Sequence, residues 1–145
     1  MGRFFSLVQI KNNGSREQFL KAFCDVMKKR SLVPCSEKES SVSYILAFSE
    51  SGKWVTLASK EYRDNPKQVK DDAKQTAAEM KTSSFSMDVV DSDWTYIELH
   101  TGADVHDTVM VGRSEFDEEH SPKGRRECWE PILAPGKTWE QLSEI

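Results

Sequence analysis

The residues of this chain best suited to chemistry lie at 97–108, IELHTGADVHDT, where His100 and His106 flank a Gly-Ala-Asp turn. If Gly102, Ala103 and Asp104 form the turn between two antiparallel strands, Thr101 pairs with Val105 and His100 faces His106. Directly opposed residues hold their Cβ atoms roughly 4.5–5.5 Å apart. At that spacing two imidazoles can share a zinc ion, with Glu98 as third ligand and Asp104 as the alternative. A metal site needs three or four ligands, and two histidines on a polar strand end need no metal to account for them. A four-residue turn would put the pair on opposite faces. The site predicted here is therefore His100, His106 and Glu98, conditional on register.

Other groups offer less. Asp88, Asp91 and Asp93 in DVVDSD carry oxygen ligands for a hard cation, but without the spaced acids and closing Glu of a calcium loop. Asp91 and Asp93 read more simply as turn formers. Glu118, Glu119 and His120 sit in a polar run where acid–base work would require a cleft to fold around them. Cys128, beside Trp129, would need His120 or His106 as its base, and nothing in its sequence neighbourhood lowers a thiol pKa. The chain contains no P-loop, G-x-S-x-G, H-E-x-x-H or dinucleotide glycine fingerprint. We therefore expect a non-catalytic interaction protein without a cofactor; the alternative is a metal-dependent or His-based enzyme centred on His100 and His106, with the 113–124 loop as its lid.

Positioning these residues requires a sheet. Phe4, Phe5, Leu7, Val8 and Ile10 are apolar on both pleat faces, which predicts a central strand. Ser15 with Gln18 makes a capping box for a helix whose stripe is Phe19, Phe23, Val26 and Met27. Lys28, Lys29 and Arg30 close it, at the negative end of its dipole. In SVSYILAFSESGKWVTLAS, a turn at Ser51-Gly52 pairs Phe48 with Val55 and Leu46 with Leu57. Ile45, Ala47 and Trp54 then share the other face. Asn65-Pro66 opens a second helix with the stripe Val69, Ala73, Ala77 and Met80, and Lys67, Lys70, Asp71, Asp72, Lys74 and Glu79 mostly outside it. Three strands follow: SFSMDVV, WTYIELH and VHDTVMVG.

The order β-α-β-β-α-β-β-β predicts an α+β fold: a ferredoxin-like split βαβ core, an extended antiparallel sheet, two helices on one face, and an irregular C-terminal segment. We expect one domain, with residues 1–112 as core and 113–145 as polar loop and tail packing on it. In the tail, prolines forbid a long helix in CWEPILAPG. Thr138 with Gln141 makes a capping box on a helix too short to stand alone, so it packs on the body or the chain continues further.

With helices over the face carrying Phe48, Val55, Ile97 and Leu99, the opposite face would show Ile45, Trp54, Trp94 and Tyr96. Such an aromatic patch predicts either cover by Trp129, Ile132, Leu133, Trp139 and Leu142 of the tail, or a protein partner, including a second copy. A small-ligand pocket between sheet and tail would use the same residues. Twenty basic against 24 acidic residues, net charge −4, argue against nucleic acid. The Lys/Arg-Gly-aromatic signature of single-strand RNA platforms is missing as well. No apolar run is long enough to span a bilayer. MGRFFS fits a myristoylation pattern, but it runs directly into a strand and leaves no tether. NGS at Asn13 reads as turn plus cap rather than a glycosylation acceptor. Three widely spaced cysteines indicate a reducing, cytoplasmic compartment.

Overall fold

A computed structural model of the chain describes residues 5–59, 65–90, 94–101, 104–112 and 123–143. It is an α+β fold in which six strands form one antiparallel sheet of order β2-β3-β1-β4-β5-β6. The strands are β1 (Phe5–Lys11), β2 (Tyr44–Phe48), β3 (Trp54–Ser59), β4 (Ser83–Val90), β5 (Trp94–Thr101) and β6 (Asp104–Gly112). The helices are α1 (Arg16–Lys29), α2 (Pro66–Glu79), α3 (Arg126–Trp129) and α4 (Trp139–Ser143). β1 is central, paired with β3 and β4, as its two apolar faces require.

The helix starts follow their local chemistry. Ser15 accepts from the Gln18 N–H while the Gln18 side chain accepts from the Ser15 N–H. Asn65 accepts from the Gln68 N–H, with Pro66 at the first helical position. Thr138 and Gln141 repeat the reciprocal cap on α4. Each pair satisfies orphan donors of a first turn and costs the chain few ordered residues. The hairpin pairs Leu46 with Leu57 and Phe48 with Val55, as its turn chemistry predicts.

The faces hold the main departure from expectation. α1 and α2 close a core of Val8, Ile10, Val55, Leu57, Phe19, Phe23, Val69, Ala73 and Ala77 on one face of β1 and β3. Across the sheet on that face, one row reads Leu46, Leu57, Val8, Ser86, Glu98, Thr108, and the next reads Phe48, Val55, Ile10, Ser84, His100, Val105. Each row changes from apolar to polar between β1 and β4. On the opposite face the row Leu7, Met87, Ile97, Val109 is apolar from β1 to β6, and Phe85, Met87, Ile97, Leu99 and Val109 meet Cys128, Trp129, Ile132, Trp139 and Leu142 of the tail. The protein thus has two apolar cores, on opposite faces of one sheet. The expectation that Ile97 and Leu99 share the helix-covered face with Phe48 and Val55 is corrected accordingly. Alternation assigns residues to two faces but does not say which face is inside when each half of a sheet has its own cover.

Asp72 is a second correction. It lies on the inner side of α2, only 1% exposed, where its carboxylate accepts from Arg30, Tyr44 and Gln68. A buried carboxylate survives there because it is paired and multiply hydrogen-bonded. Among the described residues no helix is long and apolar enough to cross a membrane.

Candidate functional site

The face of β4, β5 and β6 turned toward α2 carries a continuous polar layer. Ser84, Ser86, Glu98 and His100 lie beside one another in the strand register. Trp94 and Tyr96 extend the same face toward the start of β5, with Val90 and Asp88 as their neighbours on β4 and Gly112 and Met110 on β6. α2 contributes Lys70, whose Nζ donates to Asp88 Oδ2 at 2.6 Å. The Ser6 hydroxyl donates to Asp88 Oδ1 at 2.7 Å. One carboxylate therefore ties β1, β4 and α2 together at the rim of a cleft.

That cleft has a volume of about 1000 Å³, with Leu57, Val90, Trp94, Tyr96 and Met110 among its walls and Lys70 and Asp88 as its charged pair. Gly112 stands opposite Trp94 on β6, so the directly paired position contributes no side chain beside the indole. Burial of the Tyr96 hydroxyl, reinforced by the Glu98 carboxylate, holds its pKa above the ordinary phenol value. Tyr96 is therefore protonated at neutral pH.

His100 is 2% exposed and lies 3.1 Å from Glu98 Oε2 through its Nε2. Burial, then the charge of Lys74, pushes its pKa below the ordinary 6.5, against the opposing pull of Glu98. Lys70 adds a smaller push downward. The folded protein thus holds His100 neutral while the unfolded chain protonates it near the ordinary value. Its contribution to stability is fully present above about pH 6.5 and is lost as pH falls from there toward the depressed folded value. In urea titrations between about pH 7.5 and 5, this residue is expected to add a slope of up to about 1.4 kcal/mol per pH unit below 6.5. His100→Gln should flatten that segment of the curve, and an unchanged slope in the variant would assign the loss to other groups.

Of the three residues predicted as metal ligands, the structure brings His100 and Glu98 together and sets His106 apart. The ladder from Ile97↔Val109 to Leu99↔Asp107 is the predicted one, but His100 then pairs with Val105 and Thr101 with Asp104. The connection is thus one residue shorter than expected, and a bulge takes up the difference at His106, which is exposed. Among the described residues no group of three or more His, Cys, Asp or Glu could hold a metal ion. The four predicted partner-binding residues divide as well. Trp54 and Ile45 lie on the face away from α1 and α2, whereas Trp94 and Tyr96 lie on the face α2 packs against. The continuous aromatic patch is therefore two separate features. The described part of the tail packs on Ile97, Leu99 and Val109, with Phe85 of that cluster edge-on to Trp54.

Cys128 is buried in the second core, and burial pushes its thiol pKa up, away from a nucleophilic thiolate. Its neighbourhood is a clamp. The Asp107 carboxylate accepts from the Arg125 N–H at 2.7 Å and from the Trp129 indole at 2.6 Å. Burial opposes the ionised form of Asp107, but these bonds and one from the Thr108 N–H outweigh it and hold the pKa below the ordinary carboxylate value. Gly124, with φ of +72°, brings the chain so close to Trp139, Trp129 and Val109 that a Cβ would fall 3.0–3.2 Å from each. Asp91, Asp93, Glu118, Glu119, His120 and most of the predicted 113–124 lid lie outside the described residues.

The residues that sequence reasoning missed here are Lys70, Asp88 as an ion-pair partner, and the buried serines. Ser84 and Ser86, at alternate positions in SSFSMDVV beside Phe85 and Met87, were the available signal that β4 turns a polar face inward. Comparison of the chain with protein-family models, curated proteins and solved structures finds no match.

Proposed function

We propose that this chain is a small non-catalytic binding protein whose ligand, a small molecule with an apolar or aromatic body and a polar head, sits in the cleft between α2 and β5. The cleft itself carries the reading: a concave, largely apolar volume with aromatic walls and one oriented charge pair is the usual form of a small-molecule site. Trp94 and Tyr96 offer flat surfaces to the body of the ligand, while Lys70 and Asp88 can exchange one another for its polar head. Binding is favoured over catalysis because the Asp88 carboxylate is engaged at both oxygens by Lys70 and Ser6.

Two finer readings accompany this one. The first six elements are taken as a ferredoxin-like split βαβ unit, with β5 and β6 appended at the β4 edge; the order β2-β3-β1-β4 within the sheet supports it. A cytoplasmic setting is supported by three free thiols, Cys24, Cys35 and Cys128.

The test is a thermal-shift screen of small amphipathic compounds followed by titration of the hits. Those that raise the melting temperature of the wild type should lose at least about tenfold in affinity to Trp94→Ala, or about 1.4 kcal/mol. Lys70→Ala should weaken only compounds with an anionic head. Hits indifferent to both substitutions would place binding elsewhere and end the reading.

A further inference from the structure

The ladder between β1 and β3 stops short of both strands. It runs from Lys11↔Trp54 to Val8↔Leu57, yet β1 reaches back to Phe5 and β3 on to Ser59. Over that stretch each strand keeps its other neighbour: Phe5, Ser6 and Leu7 pair with β4, while Ala58 and Ser59 pair with β2. The next two pairs in register, Leu7 with Ala58 and Ser6 with Ser59, are not formed. The cleft enters the sheet at this split. Its walls include Ser6, Leu57 and Ser59 from one pleat face and Leu7, Thr56 and Ala58 from the other.

The phase of the ladder identifies the main-chain groups that the split leaves to the cleft. The Asn12 N–H donates to the Lys53 carbonyl at 2.7 Å, one step beyond Lys11↔Trp54. In an antiparallel pair the hydrogen-bonded positions alternate, and each such residue turns its N–H and its C=O to the same neighbour. Asn12, Ile10, Val8 and Ser6 therefore face β3, whereas Leu7 faces β4. Ser6 thus holds one donor and one acceptor toward the split, while its hydroxyl is drawn to Asp88. It is half-buried, and main-chain groups shielded from water need partners.

We propose that the ligand of the cleft carries an N-acyl α-amino acid unit with an aromatic side chain, which pairs with Ser6 as a β3 residue would. This assignment rests on the small-molecule reading of the cleft and specifies the polar head of that ligand. An N–H and a C=O on either side of one tetrahedral carbon return both bonds at strand geometry; a carboxylate, with no donor, cannot. The ring of the unit finds flat partners in Trp94 and Tyr96, which line the same cleft.

The probe is N-acetyl-L-phenylalaninamide, which is uncharged, followed by nitrogen-15 NMR titration and amide exchange. Its binding should slow exchange of the Ser6 N–H at least about tenfold and alter that of Leu7, already in the ladder with β4, far less. Methylating the amino acid nitrogen deletes the donor and should weaken binding at least about tenfold. So should 3-phenylpropionamide, which keeps the ring and carboxamide alone. No binding at about 10 mM, unchanged Ser6 exchange at saturation, or equal affinity for the three compounds overturns the proposal. Trp94→Ala separates two kinds of failure. Three compounds that bind equally and lose affinity in this variant leave the cleft a small-molecule site with a different head. Compounds indifferent to it bind elsewhere and remove both readings.

Discussion

Asp72→Ala is expected to destabilise the protein by about 3 kcal/mol, toward the lower end of the roughly 3–5 kcal/mol range for breaking a buried ion pair. Asp72 joins three elements through side chains alone: Arg30 at the end of α1, Tyr44 on β2, and Gln68 one turn earlier on α2. Removing the carboxylate takes away an acceptor that a guanidinium and a phenol share in a region that water reaches poorly. Arg30 keeps 26% of its side chain exposed and recovers some solvation, which places the value low in the range. At about 2–4 °C per kcal/mol for a domain of this size, the melting temperature should fall by roughly 10 °C. Arg30→Met combined with Asp72→Leu should cost much less than Asp72→Ala alone, because it removes both charges while keeping volume. Urea titration of the three proteins measures this. A double variant as unstable as Asp72→Ala would mean that packing, and not the unpaired charge, sets the cost.

Trp129→Ala should have an effect at least as large, about 3–5 kcal/mol. Its indole is 3% exposed and packs in the second core with Ile97, Leu99 and Val109, while its N–H donates to Asp107. The substitution opens a cavity and removes one of the bonds holding Asp107 ionised. Trp129→Phe separates the two contributions: it keeps most of the ring volume and should cost about 1–2 kcal/mol, mostly from the lost hydrogen bond. The loss in Trp129→Ala should be accompanied by faster amide exchange in β5 and β6 and little change in β1 and β3. Equal acceleration across the whole sheet would show that the two cores unfold as one.

Much of the fold was legible because it rests on local rules. Caps at Ser15, Asn65 and Thr138, the Ser51-Gly52 turn, and the central position of β1 all follow from a few adjacent residues. The ladder from Ile97 to Leu99 was legible for the same reason, since hydrophobic alternation fixes it to the residue. The last two pairs were not, because a bulge exchanges one turn residue for one strand residue without disturbing the pattern beyond it. The candidate site was less visible still. Trp94 and Tyr96 could be assigned to one face together with His100, but not to the face that α2 covers. That assignment depends on the reversal between β1 and β4, which is a relation between strands and not a property of either. Lys70 and Asp72 sit two residues apart among solvent-facing charges, and only tertiary contact distinguishes the cleft residue and the buried one from their neighbours.

The reversal at β1 and β4 also bears on how the molecule opens. The helical layer and the tail-covered layer are joined by the main-chain ladder from Phe5↔Val89 to Ile10↔Ser84, by the Ser6–Asp88–Lys70 contacts, by α2 packing on β4 and β5, and by Trp54 edge-on to Phe85. Main-chain bonds of a central pair are among the last to exchange with solvent, whereas a short tail clamped by one carboxylate can lift at a much lower free energy. This arrangement predicts two cooperative units sharing a seam, which the amide-exchange comparison of Trp129→Ala with the wild type tests. The tail can peel from β4, β5 and β6, and the opposite face of those strands, with its aromatic cleft, keeps its shape for as long as the seam holds.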